Sequence, residues 1–320
     1  MTGNNNIWLN GIMGVVIGDA LGCPVQFESR EKVASHPITG MRGYGTFNLP
    51  EGSWTDDSSL TIALLESIRR VGKIDLDDIM ENYMKWLFDG EFTPYGESFD
   101  IGFGTMLAIN QYKKKRKAKK CGGDDENNNG NGSLMRILPA CIYCVKMEGR
   151  GELSEQDAIE TIHAVGGLTH AHIRSNIACG LYYFMVKQIL TGTGSLQERL
   201  QTGISQGFAF YEAYLADKEN LHYYDRLQDL DAFKALPANR IYSSGYVVDT
   251  LEAAVWSLLT TDRFDQALLK AVNLGKDTDT VGAVAGGLAG LFYGYDAIPA
   301  EWLSVIQRRE WIEELCQVEI

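Results

Sequence analysis

Apolar side chains recur at three- and four-residue intervals through most of this chain. The pattern runs through IWLNGIMGVVIGDALG (7–22), SLTIALLESIRRV (59–71), LDDIMENYMKWLF (76–88), DAIETIHAV (157–165), NIACGLYYFMVKQIL (176–190), VVDTLEAAVWSLL (247–259) and WLSVIQRREWIEEL (302–315). That spacing gathers apolar positions on one side of a helix, and no sustained β-branched alternation competes with it. With only seven prolines to interrupt the pattern, an all-α globule is predicted, its strands few and short if present at all. KCGGDDENNNGNGS (120–133), rich in Gly, Asn and Asp, reads as a loop. Apolar residues resume directly after it without a shift in composition. Residues 1–320 are therefore expected to form one domain carrying a long functional or mobile loop.

Composition narrows the setting. A chain of 320 residues that is 45% hydrophobic can bury one large core or two modest ones. No run of eighteen apolar residues marks a membrane span, and MTGNNNIWLNG lacks the order of a secretory signal, so a cytoplasmic location without membrane association is expected. The formal charge of −13 repels phosphate backbones and argues against nucleic acid as a partner. KKKRKAKK (113–120) runs against that balance; it reads as a solvated helix extension, with steering of an anionic partner or a nuclear signal as the alternatives. The six cysteines are scattered. Cys141 and Cys144 have CxxC spacing but no second pair or histidine pattern, so buried reduced thiols are expected rather than zinc or redox chemistry.

Two short acidic stretches carry the chemistry. Thr55-Asp56-Asp57 stands just before the 59–71 helix, and Asp277-Thr278-Asp279-Thr280 just before VGAVAGGLAGLFYG. Each has an ordinary explanation as a helix start, where one Thr or Asp caps the backbone and an acid complements the macrodipole. One acid meets that need. A second, with a hydroxyl beside it, makes an oxygen-rich patch of the kind that hard divalent cations select. Positions two apart on a regular helix point to nearly opposite sides, so Asp277 and Asp279 converge only in a turn entering the helix, which Gly275 eases. If the two starts face each other, four carboxylates crowd together, and protonation or bound cations must relieve their repulsion. Two Mg²⁺ or Mn²⁺ ions are expected, with Glu28 a candidate further ligand or base. DTDTV (277–281) also fits the DxDx[TV] signature of haloacid-dehalogenase-like phosphatases. That chemistry needs a buried strand before the first Asp, where this chain has helical sequence.

Several ordered motifs, GVVIGDALGCPVQFE (14–28), GSWTDDSSL (52–60), FDIGFGT (99–105), GNGSLMRILP (130–139), LTHAH (168–172), SGYVVDTLEAAVW (244–256) and GKDTDTVGAVAGGLAGLFYG (275–294), resemble those of the ADP-ribosylglycohydrolases. The resemblance implies a compact, multi-helix orthogonal bundle with a binuclear magnesium or manganese centre at the bottom of a cleft. It puts Thr55, Asp56, Asp57, Asp277, Asp279 and Thr280 on the metal positions, and Glu28 on an acid that contacts metal or takes part in catalysis. The loop from Gly130 to Arg136, with Asn131, Gly132, Ser133 and Met135, matches the one that cradles the diphosphate and distal ribose, and His170 a phosphate-side contact. Backbone N–H groups of a Gly-rich loop suit anionic oxygens on physical grounds too. Tyr246 falls where the family offers an aromatic surface to the adenosine end. Asp100 falls near the scissile end, where an acid can pair with a guanidinium leaving group. Two departures stand out: Lys276 precedes the Asp-Thr-Asp run where the family has Gly-Gly or Gly-Asn, and DDENNN lengthens the phosphate-side loop with acids that would repel an anion if they folded over it.

The implied activity is metal-dependent hydrolysis at ribose C1 of an ADP-ribosylated protein, with arginine the favoured acceptor and ADP-ribose the product. Asp56, Asp57 and Glu28 are the candidates for guiding water to C1. A serine linkage or O-acetyl-ADP-ribose would use the same site. A non-catalytic ADP-ribose-binding, toxin-neutralising or structural relative would be expected to lack metal positions, and all six are filled here.

Overall fold

The computed structural model describes residues 6–319. Its α-helices are Ile7–Gly22 (α1), Arg30–Ser35 (α2), Asp56–Val71 (α3), Leu76–Asp89 (α4), Phe103–Lys115 (α5), Leu138–Gly149 (α6), Glu155–Gly166 (α7), Ile173–Thr191 (α8), Leu196–Tyr214 (α9), Leu230–Lys234 (α10), Val247–Leu259 (α11), Phe264–Val272 (α12), Thr278–Tyr293 (α13), Ala300–Val305 (α14) and Arg309–Leu315 (α15). Among the described residues there is no strand, only isolated bridges between Gly123 and His170 and between Gly130 and Tyr246. The chain is all-α, as its periodicity predicts. Because α12 and a turn precede Asp277, the phosphatase-like reading of DTDTV lacks the strand it requires.

Local chemistry sets the helix ends. Thr55 caps α3, which closes on Gly72 in the left-handed region at φ 74°. Ser154 with Asp157 and Ser195 with Glu198 form capping boxes at α7 and α9. One continuous core, from Trp8 near the start to Cys316 near the end, is shared by these helices, and all six cysteines are buried and unbridged. Residues 7–25 are, among the described residues, the one helical stretch long and apolar enough to cross a membrane, yet 89% of that window is buried within the fold.

What covers α1 is chiefly α13, packed antiparallel along it. Glycines at four-residue spacing line both sides of the contact: Gly14, Gly18 and Gly22 face Gly286, Gly282 and the start of α13. A Cβ at Gly18 would stand 1.9 Å from the Gly282 carbonyl oxygen, and one at Gly14 2.1 Å from that of Gly286. Only hydrogen in place of a side chain allows the backbones so close. The contact brings Gly22 onto the backbone of Thr278 and Asp279, so the end of α1 and the beginning of α13 are fixed together beside the start of α3.

Candidate active-site cleft

The start of α3 and the start of α13 meet, with Thr55 and Asp279 in contact across 224 positions of sequence. Thr55 Oγ1 lies 3.3 Å from Asp57 Oδ2 and 3.5 Å from Asp279 Oδ2. Thr280 Oγ1 lies 3.4 Å from Asp57 Oδ2 and 3.2 Å from Asp277 Oδ1. Capping does not account for the acids. At α3 the Asp57 N–H is met by Thr55 Oγ1, 3.4 Å away, and Asp277 occupies the N-cap of α13 without making a side-chain cap bond.

A residue that the sequence reading passed over holds this junction. Asp19, buried near the end of α1, accepts from the backbone N–H of Thr55 at 3.0 Å, from Thr55 Oγ1 at 3.0 Å, from the Ser58 N–H at 3.0 Å and from Ser58 Oγ at 2.5 Å. One carboxylate thus satisfies the unpaired donors at the start of α3 and aims Thr55 toward α13. Gln26, in the turn after α1, and Thr105 on α5 also line the cleft and were not anticipated.

The electrostatics follow from burial. Asp56, Asp57 and Asp279 are pushed well above the usual carboxylate range, first by loss of water and then by the neighbouring carboxylates. Asp100 is raised chiefly by burial, against hydrogen bonds to Gln26 and Asp279, and burial brings Asp19 up to about 6 in spite of its four hydrogen bonds. Asp57 Oδ1 and Asp279 Oδ1 are buried with no hydrogen-bond partner. Oxygens left so are expensive unless something positive meets them. The donor set is all oxygen, from carboxylates and hydroxyls, which suits Mg²⁺ or Mn²⁺ and not a softer metal. These residues fit such ions, although no three His, Cys, Asp or Glu side chains among the described residues stand as a formed metal site.

Above the acids opens a cleft of about 320 Å³ lined by Asp56, Asp57, Asp100, Asp277 and Thr280 on one side and by Gly130, Asn131, Gly132, Met135 and His170 on the other. The Gly-rich loop is set by its neighbours. Asn131 Nδ2 donates to Asp277 Oδ2 at 2.6 Å and to Thr250 Oγ1 at 2.8 Å, tying the loop to the acidic side. The His170 ring lies against Gly104, Gly130 and Gly132, where a Cβ at Gly132 would come within 2.6 Å of it. Burial and the Arg136 charge push His170 down to about 3, so it is neutral at physiological pH and hydrogen-bonds Thr169 Oγ1 through Nδ1.

A model of the ADP-ribosylglycohydrolase family matches residues 8–319. The chain belongs to the ADP-ribosylglycohydrolase family. It is 33% identical to the ADP-ribosylarginine hydrolase Tri1 of Serratia proteamaculans over 96% of this chain and 76% of that protein. It is 29% identical to the ADP-ribosyl-[dinitrogen reductase] glycohydrolase of Rhodospirillum rubrum over 94% and 90%. A solved structure titled ADP-ribosylglycohydrolase-related protein complex superposes with a TM-score of 0.76 at 30% identity, covering 97% of this chain and 95% of that one. As a member of this family the chain is a glycosidase with ADP-ribosyl glycohydrolase activity.

Within this ADP-ribosylglycohydrolase, four of the anticipated site residues stand differently from expectation. Arg136 is fully buried beneath the loop, donating to Tyr83 Oη at 3.0 Å, to Thr169 Oγ1 at 2.7 Å and to the Gly132 carbonyl; it holds the Gly-rich loop from below and does not line the cleft. Ser133 is likewise buried, against Cys179. The Glu28 carboxylate pairs with Lys32 at 2.8 Å and is not part of the cleft lining. Tyr246 pairs through its backbone with Gly130 and lies beside Arg174, outside the lining as well. The two departures from the family pattern have definite places in the fold. Lys276 is exposed, its backbone bonded to Phe27 and Glu28, and Glu126 of the lengthened loop is neutralised by Arg174 at 2.8 Å and faces His172 at 3.4 Å.

Proposed function

We propose that this cleft hydrolyses the bond between ribose C1 and the guanidino nitrogen of ADP-ribosylated arginine in protein, releasing ADP-ribose, with two Mg²⁺ or Mn²⁺ ions held by Thr55, Asp56, Asp57, Asp277, Asp279 and Thr280. The observation that carries the reading is the meeting of the two acidic helix starts within 3.5 Å, with two buried carboxylate oxygens left without donors. The arginine linkage is supported by relatives at 33% and 30% identity that are named ADP-ribosylarginine hydrolases.

Bound there, divalent cations supply the positive charge that offsets the acids and makes an adjacent water easier to deprotonate. The protein's own groups do the rest. Asp56 and Asp57 line the cleft, and on this reading one of them takes the proton as the water oxygen bonds to C1. The C1–N bond breaks, and the departing guanidine gains a proton; Asp100, which lines the cleft beside Asp279 and whose carboxyl pKa is raised by burial, is the acid assigned to that group. The Gly130–Gly132 backbone and neutral His170 receive the diphosphate, which suits donors better than fixed charge beside so many acids.

Asp279→Ala, assayed by ADP-ribose release from modified arginine with EDTA-treated wild type in parallel, should lose at least about a hundredfold in rate. Undiminished release in both would overturn the cation mechanism. Serine-linked and O-acetyl-ADP-ribose run beside the arginine substrate test the linkage, and faster release from either would replace arginine.

A further inference from the structure

Helix α5 begins in the cleft and leaves it as a ridge. Its first residues, Phe103, Gly104 and Thr105, line the cleft, and its inner face, Thr105, Ala108, Ile109 and Tyr112, is buried in the core. The outer face carries Phe103 and Leu107, 72% and 50% exposed, and one turn and then two farther on reaches Lys114. Across the mouth Phe27 is 65% exposed, held in the left-handed region at φ 67°. That conformation is held by the hydrogen bond from the Phe27 N–H to the Lys276 carbonyl at 2.6 Å.

Past the apolar residues come seven cations in eight positions, Lys113 to Lys120. A helix C-terminus is favoured by one or two cations, and more repel one another. Arg116 is paired with Glu81 and Lys113 lies over the Phe88 ring, while Lys114, Lys115, Lys117, Lys119 and Lys120 extend into solvent. This patch is opposite in sign to a chain of net charge −13. From Phe103 to Lys115 the ridge runs about 18 Å, the span of roughly five or six extended residues.

We infer that the outer face of α5 docks the protein that bears the ADP-ribose, its apolar residues seating the surface beside the modified side chain and its lysines reading acidic residues five or six positions away. The net charge of −13 repels a nucleic-acid backbone at long range, and exposed aliphatic Leu107 offers a base no stacking face, so a protein is favoured, and the shared helix makes the ridge continuous with the cleft. The cargo in this inference rests on the arginine reading above; the ridge does not.

The test uses the full chain and three substrates: free ADP-ribosylarginine, a peptide whose ADP-ribosylated arginine is followed by leucine, three glycines and then four glutamates, and the same peptide with lysines for the glutamates. The acidic peptide should be cleaved about tenfold better in kcat/KM than the lysine peptide at low salt, through KM, and the preference should fade as salt rises. A variant with Lys114, Lys115, Lys117 and Lys119 all changed to Glu should erase the preference, and Leu107→Ser should weaken both peptides, with free ADP-ribosylarginine cleaved as in wild type. Equal cleavage of the two peptides by wild type, or an equal loss on the free substrate, overturns the ridge. No release from any of the three overturns the arginine reading instead; fluorescence anisotropy of the unmodified peptides, binding the acidic one more tightly only when the lysines are present, then decides the ridge. Tighter binding of a single-stranded oligonucleotide than of the acidic peptide, or a wild-type dimer in sedimentation that the lysine reversal dissolves, assigns the patch elsewhere and overturns the proposal.

Discussion

Asp19 carries an unusual share of the site for one side chain. Its two oxygens accept from four donors of Thr55 and Ser58, two of them backbone N–H groups that cannot turn away without unwinding the start of α3. In Asp19→Asn one oxygen becomes an NH₂ that faces N–H and O–H donors, leaving at least one buried donor unpaired at a cost of about 1–3 kcal/mol. Thr55 then loses its anchor and with it the orientation that puts its hydroxyl near Asp57 and Asp279. The expected result is Mn²⁺ binding weakened about tenfold by calorimetry together with a lower Tm; a variant that melts lower but binds Mn²⁺ as tightly would show that Asp19 only stabilises the fold. The signal for this residue was in the sequence. Asp19 is the only charge in IWLNGIMGVVIGDALG, and a lone carboxylate in so apolar a helix is buried and needs partners. What the sequence could not tell was who the partners are. Arg136 shows the converse: the motif around it is clear, but whether a guanidinium faces a ligand or lies beneath a loop depends on Tyr83 and Thr169, which stand 53 and 33 positions away.

Among the elements, α1 and α13 do most to place the chemistry. The periodicity that revealed the helices cannot show which helix packs on which. Here the four-residue glycine spacing exists on both partners, and its meaning emerges only when they are seen face to face. A Cβ at Gly18 meets the Gly282 carbonyl at 1.9 Å, backbone that cannot rotate aside, so the two helices must separate or slide. Gly18→Ala should therefore destabilise the protein by about 3 kcal/mol in urea unfolding. Gly149→Ala, at the end of α6 with nothing within 4 Å of the new Cβ, is the control and should be neutral or stabilising by up to about 1 kcal/mol through helix propensity. Equal effects at the two positions would mean that the α1–α13 contact yields easily and does not fix the acidic junction. The 120–133 loop illustrates the limit of composition from the other side. Its Gly and Asn content predicted a loop correctly, but its placement comes from the Gly123–His170 bridge and the Glu126–Arg174 ion pair, both long-range.

At the scale of the whole molecule, the cleft exists only when the chain is complete, because Asp19, Asp57 and Thr55 come from its beginning and Asp277, Asp279 and Thr280 from its end. Site chemistry and global stability are therefore linked. Burial and mutual repulsion raise Asp56, Asp57 and Asp279 well above 3.8, so without a cation the folded chain binds more protons than the unfolded one. Their contribution is fully present below about pH 3.8 and is lost as the pH rises through the raised folded values. On the proposed cation reading, a divalent ion would take the place of those protons in the folded state, where the acids are brought together. The rise in Tm produced by about 5 mM Mg²⁺ or Mn²⁺ should accordingly be small near pH 5 and grow to several degrees near pH 8, with EDTA reversing it. Asp57→Asn combined with Asp279→Asn removes the repulsion and the ligands together, so this variant should melt higher than the EDTA-treated wild type at pH 8 and show no response to either ion. A cation-induced shift of the same size at pH 5 and pH 8, or one that survives in the double variant, would mean that the ions bind elsewhere and that the buried acids serve some purpose other than holding them.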